Sequence, residues 1–255
     1  MDLAAAPTST RTFPVELCRP ADPIFAIGDV HGRCIQLRKA LDHATGLLDQ
    51  GRIARVVFLG DIVDRGPDSW ECLRMVAEFR RLFPTEILMG NHEQFMFVSL
   101  LHPDEGMREF ALYNWLRNGG RWAIPHLDTL AATLETLDLG LDRWSASVAS
   151  GNVLLLHAGI PAGAAPHELA AFLAQPKLDL PRVSGESAPH WAWIRGGFLE
   201  AARPWADHFV VHGHTAREYS ARPCAGRINL DATHSTNVAG ALIGDQVIEL
   251  TAFGL

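Results

Sequence analysis

Four short polar segments of this chain each follow an apolar run, and each contains side chains that can bind a metal ion. The segments are GDVHG (28–32), GDIVDRG (60–66), GNHE (90–93) and HGHT (212–215). An apolar run that ends in a polar loop is typical of a buried strand in an α/β fold. Because the loops at the carboxyl ends of parallel strands share one edge of a sheet, the pattern predicts an α/β protein with one composite site at that edge.

The apolar and amphipathic runs predict the order of the elements. Strands are expected at 24–27, 55–60 and 86–89, with amphipathic helices over 34–48 and 69–82 between them. Further strands are expected at 153–156, 209–211 and 228–230, and the Gly244-Asp245 pair predicts a hairpin within 241–250. We therefore expect an α+β sandwich of mixed β-sheets flanked by helices.

The chain divides into an arm and one domain. Residues 1–22 are rich in Ala, Pro, Thr and Ser, so we expect a flexible N-terminal arm, followed by a single domain over 23–255. Within that domain, about 95–145 is expected to be a helical insertion containing Trp115, Trp122 and Trp144, with a helix ending near Asn118-Gly119-Gly120. The Ala- and Pro-rich stretch 161–189 is expected to form a helix and loops at the rim of the site.

Composition excludes several classes of protein. The 255 residues are 48% apolar, as in a globular core, and the net charge of −7 opposes a broad nucleic-acid or anionic-membrane surface. Four separated cysteines without a CxxC pair favour buried thiols over a zinc knuckle or a disulfide framework. The sequence shows neither a secretory signal nor a membrane span, so we expect a cytoplasmic, soluble protein. We also expect it to be a monomer.

The residues at the strand ends suit two metal ions. Asp29 and His31 lie two positions apart in an extended segment, so both can reach one ion. Asp61 follows the second strand, where a carboxylate can bridge two ions about 3.5–4 Å apart. Oxygen and imidazole donors follow the later strands as well: Asn91, His157 and His214. A single Asp or His is more often structural, but five independent strand ends carry such residues here. The mixed donors suit Mn, Fe or Zn better than Ca or Mg.

Four further residues suggest phosphate chemistry. His92 could protonate a departing alkoxide if a carboxylate orients it, and Asp64 is the candidate for that carboxylate. Arg65 and Arg195 carry guanidinium groups that suit the oxygens of a phosphoryl group. For Arg195, a surface salt bridge is the competing interpretation.

The motifs resemble those of the phosphoprotein phosphatase family of metallophosphoesterases, particularly its bacterial and phage-lambda-type serine/threonine phosphatases. The resemblance runs from 24 to about 232 and includes NWLRNGG (114–120), WIR (193–195) and GHT (213–215). It implies one metal on Asp29, His31 and Asp61, and a second metal on Asp61, Asn91, His157 and His214. It also implies Asp64 and His92 as the acid pair, and Arg65, Arg195 and Asn91 as phosphate ligands. His214 is chosen over His212 because the family's ligand follows Gly.

The resemblance implies a metal-dependent phosphomonoesterase that acts on phosphorylated Ser or Thr, with phosphorylated Tyr as a further option. The nucleophile would be a hydroxide that bridges two metal ions, and Mn is the metal we expect. One alternative is a dinucleoside polyphosphate hydrolase, a related class that typically has GNHD where this chain has GNHE. The other alternative is an inactive phospho-binding protein. HAGIP (157–161) and DATH (231–234) depart from the family pattern, and the second departure bears on the substrate near Thr233 and His234.

Overall fold

A computed structural model describes residues 9–181, 190–201, 208–216, 223–224, 226–233 and 237–255. Its strands are β1 (Ser9–Pro14), β2 (Ile24–Ile27), β3 (Arg55–Phe58), β4 (Thr85–Leu88), β5 (Trp144–Ser145), β6 (Ser147–Ser150), β7 (Val153–Leu156), β8 (Phe209–His212), β9 (Arg227–Asn229), β10 (Val238–Gly244) and β11 (Val247–Phe253). Its helices are α1 (Cys34–Asp49), α2 (Ser69–Leu82), α3 (Asn91–Leu101), α4 (Glu105–Arg117), α5 (Leu127–Thr136), α6 (Pro166–Leu173) and α7 (Gly196–Glu200).

The strands form two mixed sheets. The first has the order β1-β11-β10-β2-β3-β4-β5, in which β2 to β5 are parallel and the β10–β11 hairpin and β1 extend the sheet antiparallel to its neighbours. The second has the order β6-β7-β8-β9, with β7, β8 and β9 parallel. The carboxyl ends of β2, β3 and β4 therefore share one edge, as do those of β7, β8 and β9.

Successive side chains along a strand pack in different layers of the core. In β2, Ile24 and Ala26 pack between the two sheets, whereas Phe25 and Ile27 pack against the helices of the first sheet. The outer face of the second sheet is covered by apolar residues of α6 and α7, including Phe198. The predicted fold, mixed sheets flanked by helices, is confirmed.

The predicted N-terminal arm needs correction over its second half. Ser9–Pro14 form β1, which pairs with β11 along its whole length, and the hydroxyls of Thr10 and Thr251 lie 3.1 Å apart. Phe13 packs on the core between the sheets, and Cys18 is fully buried. An unpaired edge of β11 offers backbone hydrogen bonds, so this Thr-rich segment is held as an edge strand.

The stretch predicted as a helical insertion contains α3, α4 and α5, with short 3₁₀ turns at Gly120–His126 and Leu141–Arg143. Trp144 differs from the prediction, because it lies in β5 beside β4 and packs edge-to-face on Phe97. The helix at the rim is α6, and residues 182–189 of that predicted stretch lie outside the described residues. Among the described residues, every helix is too short or too polar to cross a bilayer.

Candidate metal and phosphate site

Residues from both sheets meet at one place. Asp29 lies two residues beyond β2, Asp61 lies three beyond β3, and Asn91 begins α3 after β4. From the second sheet, His157 directly follows β7 and His214 lies two residues beyond β8. All five side chains are buried. The strand-end residues predicted from the sequence are therefore brought together, and hydrophobic packing between the sheets holds them there.

The first group of donors is formed by His31, Asp61 and His92, whose ligand-type atoms lie within 4.8 Å of one another. Nε2 of His31 is 3.6 Å from Oδ2 of Asp61 and 3.9 Å from Oδ2 of Asp29. Nδ1 of His31 donates to the carbonyl oxygen of Val63 (3.1 Å). That bond fixes the tautomer and leaves Nε2, which lies near both carboxylates, as the nitrogen with a lone pair.

The second group is formed by Asp61, His157 and His214, again within 4.8 Å. Nδ1 of His157 donates to the carbonyl of Leu59 (2.8 Å), so its Nε2 lone pair faces Oδ1 of Asp61 at 3.4 Å. Oδ1 of Asn91 lies 3.2 Å from Nε2 of His157 and 2.8 Å from Nδ1 of His214. Asp61 belongs to both groups, which is the position predicted for a bridging carboxylate.

The ionisation of the histidines fits metal binding by three of them. Burial lowers the pKa of His157, and holds the pKa of His31 and of His214 well below its usual value. These rings are therefore neutral at neutral pH, and the neutral ring is the form that binds a metal.

The carboxylates of the site create an excess of buried negative charge. Burial raises the pKa of Asp29 well above its usual value, and the neighbouring carboxylates of Asp231 and Asp61 raise it further. A bound cation would offset this repulsion. The oxygen and imidazole donors, their tautomers and this acidic excess all fit divalent ions that accept mixed N/O ligands.

His92 differs from the other histidines of the site. Burial would lower its pKa, but the nearby Asp61 and the bond to Asp64 outweigh burial and raise it. Its Nδ1 donates to Oδ2 of Asp64 at 2.6 Å. Its Nε2 is buried without a hydrogen-bond partner among the described residues and lies 3.9 Å from Oδ2 of Asp61. Geometry alone would allow Nε2 to bind a metal, but the raised pKa favours the protonated ring and therefore a role as proton donor.

Asp64 has partners that the sequence reasoning missed. Nε1 of Trp115 donates to both carboxylate oxygens, at 2.9 and 3.1 Å, and Nε1 of Trp122 donates to Oδ1 at 2.7 Å. The sequence predicts these two tryptophans only as part of the helical insertion. The NWLRNGG segment, which contains Trp115 and is part of the family resemblance, could have indicated that Trp115 belongs to the site.

Glu93 was also missed as a site residue. Its carboxylate is fully buried and accepts backbone N–H groups from Asp61 (2.8 Å), Ile62 (2.7 Å), Val63 (3.2 Å) and Gly90 (3.1 Å). Glu93 therefore joins the loop after β3 to the start of α3, and so fixes Asp61 relative to Asn91. The position of Glu93 directly after His92 could have indicated that it belongs to the site.

The two predicted arginines lie beside the donors. Nη1 of Arg65 donates to Nε2 of His31 at 2.8 Å, so the guanidinium must leave this nitrogen for His31 to bind an ion. Nη1 of Arg195 donates to the hydroxyl of Thr215 at 3.0 Å, next to His214. This bond places the Arg195 guanidinium beside the loop that carries His214.

The loops of the site adopt a backbone conformation that most residues avoid. Positive φ angles occur at His31 (46°), Asp61 (51°), Asp64 (74°), Arg65 (63°) and His214 (70°). Non-glycine residues in this region carry strain, and such strain is common at functional sites. Packing and hydrogen bonds on either side of each loop must hold these side chains in place.

His212 lies outside both donor groups. It ends β8, its ring packs edge-to-face on Phe198 at 5.0 Å, and burial lowers its pKa to about 3. His214, but not His212, belongs to one of the two donor groups, which agrees with the choice of His214 over His212.

Comparisons with known proteins point to phosphoester hydrolysis. The chain is 29% identical over 228 residues to serine/threonine-protein phosphatase 1 of Salmonella typhimurium, covering 88% of this chain and 89% of that protein. It is 27% identical over 246 residues to the asymmetrical bis(5'-nucleosyl)-tetraphosphatase PrpE of Bacillus subtilis, covering 87% of each. It is 33% identical over 144 residues to the symmetrical bis(5'-nucleosyl)-tetraphosphatase of Methylococcus capsulatus, but this match spans only 54% of this chain and 43% of the relative.

A solved structure supports the fold. A cold-active protein tyrosine phosphatase superposes with a TM-score of 0.56 at 18% identity, covering 90% of this chain and 80% of that chain. The family model described as calcineurin-like phosphoesterase matches residues 22–247, which include every predicted site residue. The chain therefore belongs to the calcineurin-like phosphoesterase family, whose members hydrolyse phosphoesters with a pair of divalent metal ions.

Proposed function

We propose that the protein is a metal-dependent phosphomonoesterase that removes phosphate from serine and threonine of phosphoproteins, with phosphotyrosine as a further candidate substrate. The observation that carries this proposal is the pairing of His92 with Asp64, next to the Asp61 carboxylate that the two donor groups share. A proton donor next to a dinuclear site suits the cleavage of a phosphoester with a poor leaving group.

The ligand sets in this proposal follow the sequence. Asp29, His31 and Asp61 would hold one ion, and Asp61, Asn91, His157 and His214 would hold the other. Two divalent ions there would lower the pKa of a water molecule and neutralise charge on the phosphoryl oxygens. Manganese is the ion we propose, with iron or zinc as alternatives, and metal analysis of the untreated protein is the test.

The protein's own side chains bind the substrate and move the proton. Arg65, Arg195 and Asn91 hold the phosphoryl oxygens, and the forked guanidinium groups orient them. As an oxygen from water forms a new bond to phosphorus and the ester P–O bond breaks, Nε2 of His92 gives its proton to the leaving oxygen. Asp64 accepts the Nδ1 proton of the same ring in a hydrogen bond, which keeps Nε2 aimed at the leaving group and stabilises the charged ring.

Replacement of His92 tests this role. His92→Asn should retain the fold and the bound metal but lose about 10²–10⁴-fold in turnover of a phosphoserine peptide, because a positioned acid is absent. His102→Asn, outside the site, is the matched control and should keep wild-type turnover. Near-normal turnover by His92→Asn would remove His92 from the acid role.

A phosphoprotein substrate is supported by the phosphatase relative, which the chain matches along most of its length. Glu93 and Arg65 support it too, since the dinucleoside polyphosphate hydrolases typically have Asp in place of Glu93 and lack the VDRG arrangement that carries Arg65. Near the departure at 231–234, Asp231 is buried and accepts both the backbone N–H and the hydroxyl of Thr233, whereas His234 lies outside the described residues.

A dinucleoside polyphosphate hydrolase is the second candidate, favoured by the two tetraphosphatase relatives. The discriminating experiment compares kcat/KM for a phosphoserine peptide, a phosphotyrosine peptide and diadenosine tetraphosphate at one manganese concentration. We expect the phosphoserine peptide to be preferred. A preference for diadenosine tetraphosphate would overturn the proposed substrate and leave the phosphoesterase chemistry intact.

The remaining expectations are a monomeric and cytoplasmic enzyme that is catalytically active. Size-exclusion chromatography with light scattering tests the monomer, and cell fractionation tests the location. Hydrolysis of a chromogenic phosphate ester with added manganese tests activity, and a complete lack of turnover would favour a phospho-binding protein.

A further inference from the structure

We propose that Trp115 and Trp122 are positioning residues for proton transfer: their indole N–H groups fix the Asp64 carboxylate so that it holds the His92 ring. This assigns a role to the helical insertion. It rests on the proposed function only in taking His92 as the proton donor, and is independent of the identity of the natural substrate.

Asp64 is surrounded by donors on both of its oxygens. Trp115 spans the two oxygens, Trp122 donates to Oδ1, and Nδ1 of His92 donates to Oδ2 at 2.6 Å. The carboxylate is fully buried. Its plane can rotate about one side-chain bond, and the bonds to Trp115 and Trp122 oppose that rotation. The position of the Nδ1 acceptor of His92 is therefore set by residues that are 51 and 58 positions away from Asp64 in the chain.

The sequence of the insertion permits this close approach. Trp115 lies in the last turn of α4 and is fully buried, and two glycines follow. A Cβ on Gly120 would lie 2.5 Å from Nε1 of Trp115, and one on Gly119 would lie 2.5 Å from the backbone nitrogen of Arg65. Gly119 also has a φ of 114°. The glycine pair thus lets the chain turn against the Asp64 loop while Trp122 reaches the same carboxylate.

Indole suits this task because it is a neutral donor. A buried carboxylate has lost its hydrogen bonds to water and needs other donors in their place. An arginine in the same place would neutralise the charge of Asp64 and compete with His92 for it. The N–H groups of Trp115 and Trp122 satisfy the oxygens without adding positive charge, so the negative charge remains available to the His92 ring.

The two rings also support each other. They meet edge-to-face at 6.0 Å with an interplanar angle of 87°, and Trp122 packs at 6.5 Å from Trp70 of α2. Trp122 is half-buried, so its replacement by Phe keeps most of the apolar contact while removing the donor. A purely structural role and a positioning role for these tryptophans can therefore be separated by experiment.

The test uses Trp122→Phe, Trp115→Phe and the double variant, with Trp144→Phe as the matched control. Trp144 is fully buried, and its indole N–H donates to the carbonyl of Leu139 at 2.9 Å instead of to Asp64. Each manganese-loaded protein is assayed on a series of aryl phosphates, from dinitrophenyl phosphate to phenyl phosphate, and on a phosphoserine peptide.

If the tryptophans position the acid pair, the loss must grow as the leaving group becomes poorer. We expect Trp122→Phe to lose less than about 3-fold on dinitrophenyl phosphate and about 10–100-fold on phenyl phosphate, a fraction of the full loss of a general acid. Trp144→Phe should show the same ratio to wild type across the series. Losses by Trp122→Phe that are equal for every leaving group would overturn the proposal.

A double-mutant comparison provides a second readout. In an Asp64→Asn background, Trp122→Phe should cause little further loss, because both changes act through the same carboxylate. Independent, multiplicative losses would contradict a role through Asp64. If Trp115→Phe fails to fold, as judged by circular dichroism, Trp122→Phe alone decides the matter.

The aryl phosphate series separates the two proposals. If wild-type protein prefers diadenosine tetraphosphate over a phosphopeptide, the proposed substrate fails, yet the aryl series still tests Trp122. If the proposed substrate stands and Trp122→Phe behaves like Trp144→Phe, only the positioning role fails.

Discussion

Replacement of Glu93 by Gln tests whether this side chain holds the site together. The carboxylate accepts four backbone N–H groups: Oε1 takes those of Ile62 and Val63, and Oε2 takes those of Asp61 and Gly90. A Gln side chain has one acceptor oxygen, so its NH₂ group must face two of these donors. In either orientation of the amide, two buried N–H groups lose their acceptor.

Each buried donor without an acceptor costs about 1–3 kcal/mol, so the lost bonds cost about 2–6 kcal/mol in total. Part of this is offset, because burial and the nearby Asp61 make ionised Glu93 unfavourable and raise its pKa to about 7. We expect the free energy of unfolding to fall by about 3 kcal/mol. For a domain of this size that corresponds to a drop in Tm of about 6–12 °C.

Thermal unfolding of the metal-free protein, followed by circular dichroism, provides the measurement. Glu249→Gln is the matched control, because Glu249 is partly exposed and pairs with Arg52 on the surface, where such pairs contribute about 0–1 kcal/mol. A Tm for Glu93→Gln within about 2 °C of wild type would refute the view that these four bonds brace the site.

Three further predictions concern strain, metal and thiols. Arg65 has a φ of 63°, so Arg65→Gly should be more stable than Arg65→Ala by about 1 kcal/mol, which urea unfolding measures. Both variants should lose phosphate binding, which a raised KM would show. Equal stabilities of the two variants would contradict the prediction. A chelator should abolish activity and lower Tm, and manganese should restore both, because an ion that binds only the folded state stabilises it; activity in the presence of excess chelator would contradict this. Burial raises the pKa of Cys18 to about 12 and also raises that of Cys72. Ellman's reagent should therefore modify the exposed Cys224 in the folded protein, but Cys18 and Cys72 only after unfolding. Rapid reaction of all four thiols would contradict this prediction.

Local pattern was enough to predict the strand ends and the residues that follow them. Short apolar runs end at Gly28 and Gly60, and the parallel order of the strands brings their loops to one edge. The bounds of β2, α2 and β7 agree with the prediction residue for residue.

What the sequence did not predict depends on contacts between distant segments. The bonds from Trp115 and Trp122 to Asp64 require the whole insertion to fold back over the loop after β3, and spacing carries no signal of that return. The strand β1 was missed for a similar reason. Ser9–Pro14 show little periodicity of their own, and become a strand because β11, more than 230 residues later, offers an edge.

The donor groups draw on two sheets that are joined mainly through their apolar inner faces. Asp61 follows a strand of the first sheet, and His157 and His214 follow strands of the second. Partial unfolding that separates the two sheets would move these donors apart but would leave most backbone hydrogen bonds within each sheet intact. Hydrolytic activity should therefore disappear at lower denaturant concentrations than the far-ultraviolet circular dichroism signal. Turnover would then detect separation of the two sheets before the secondary structure is lost.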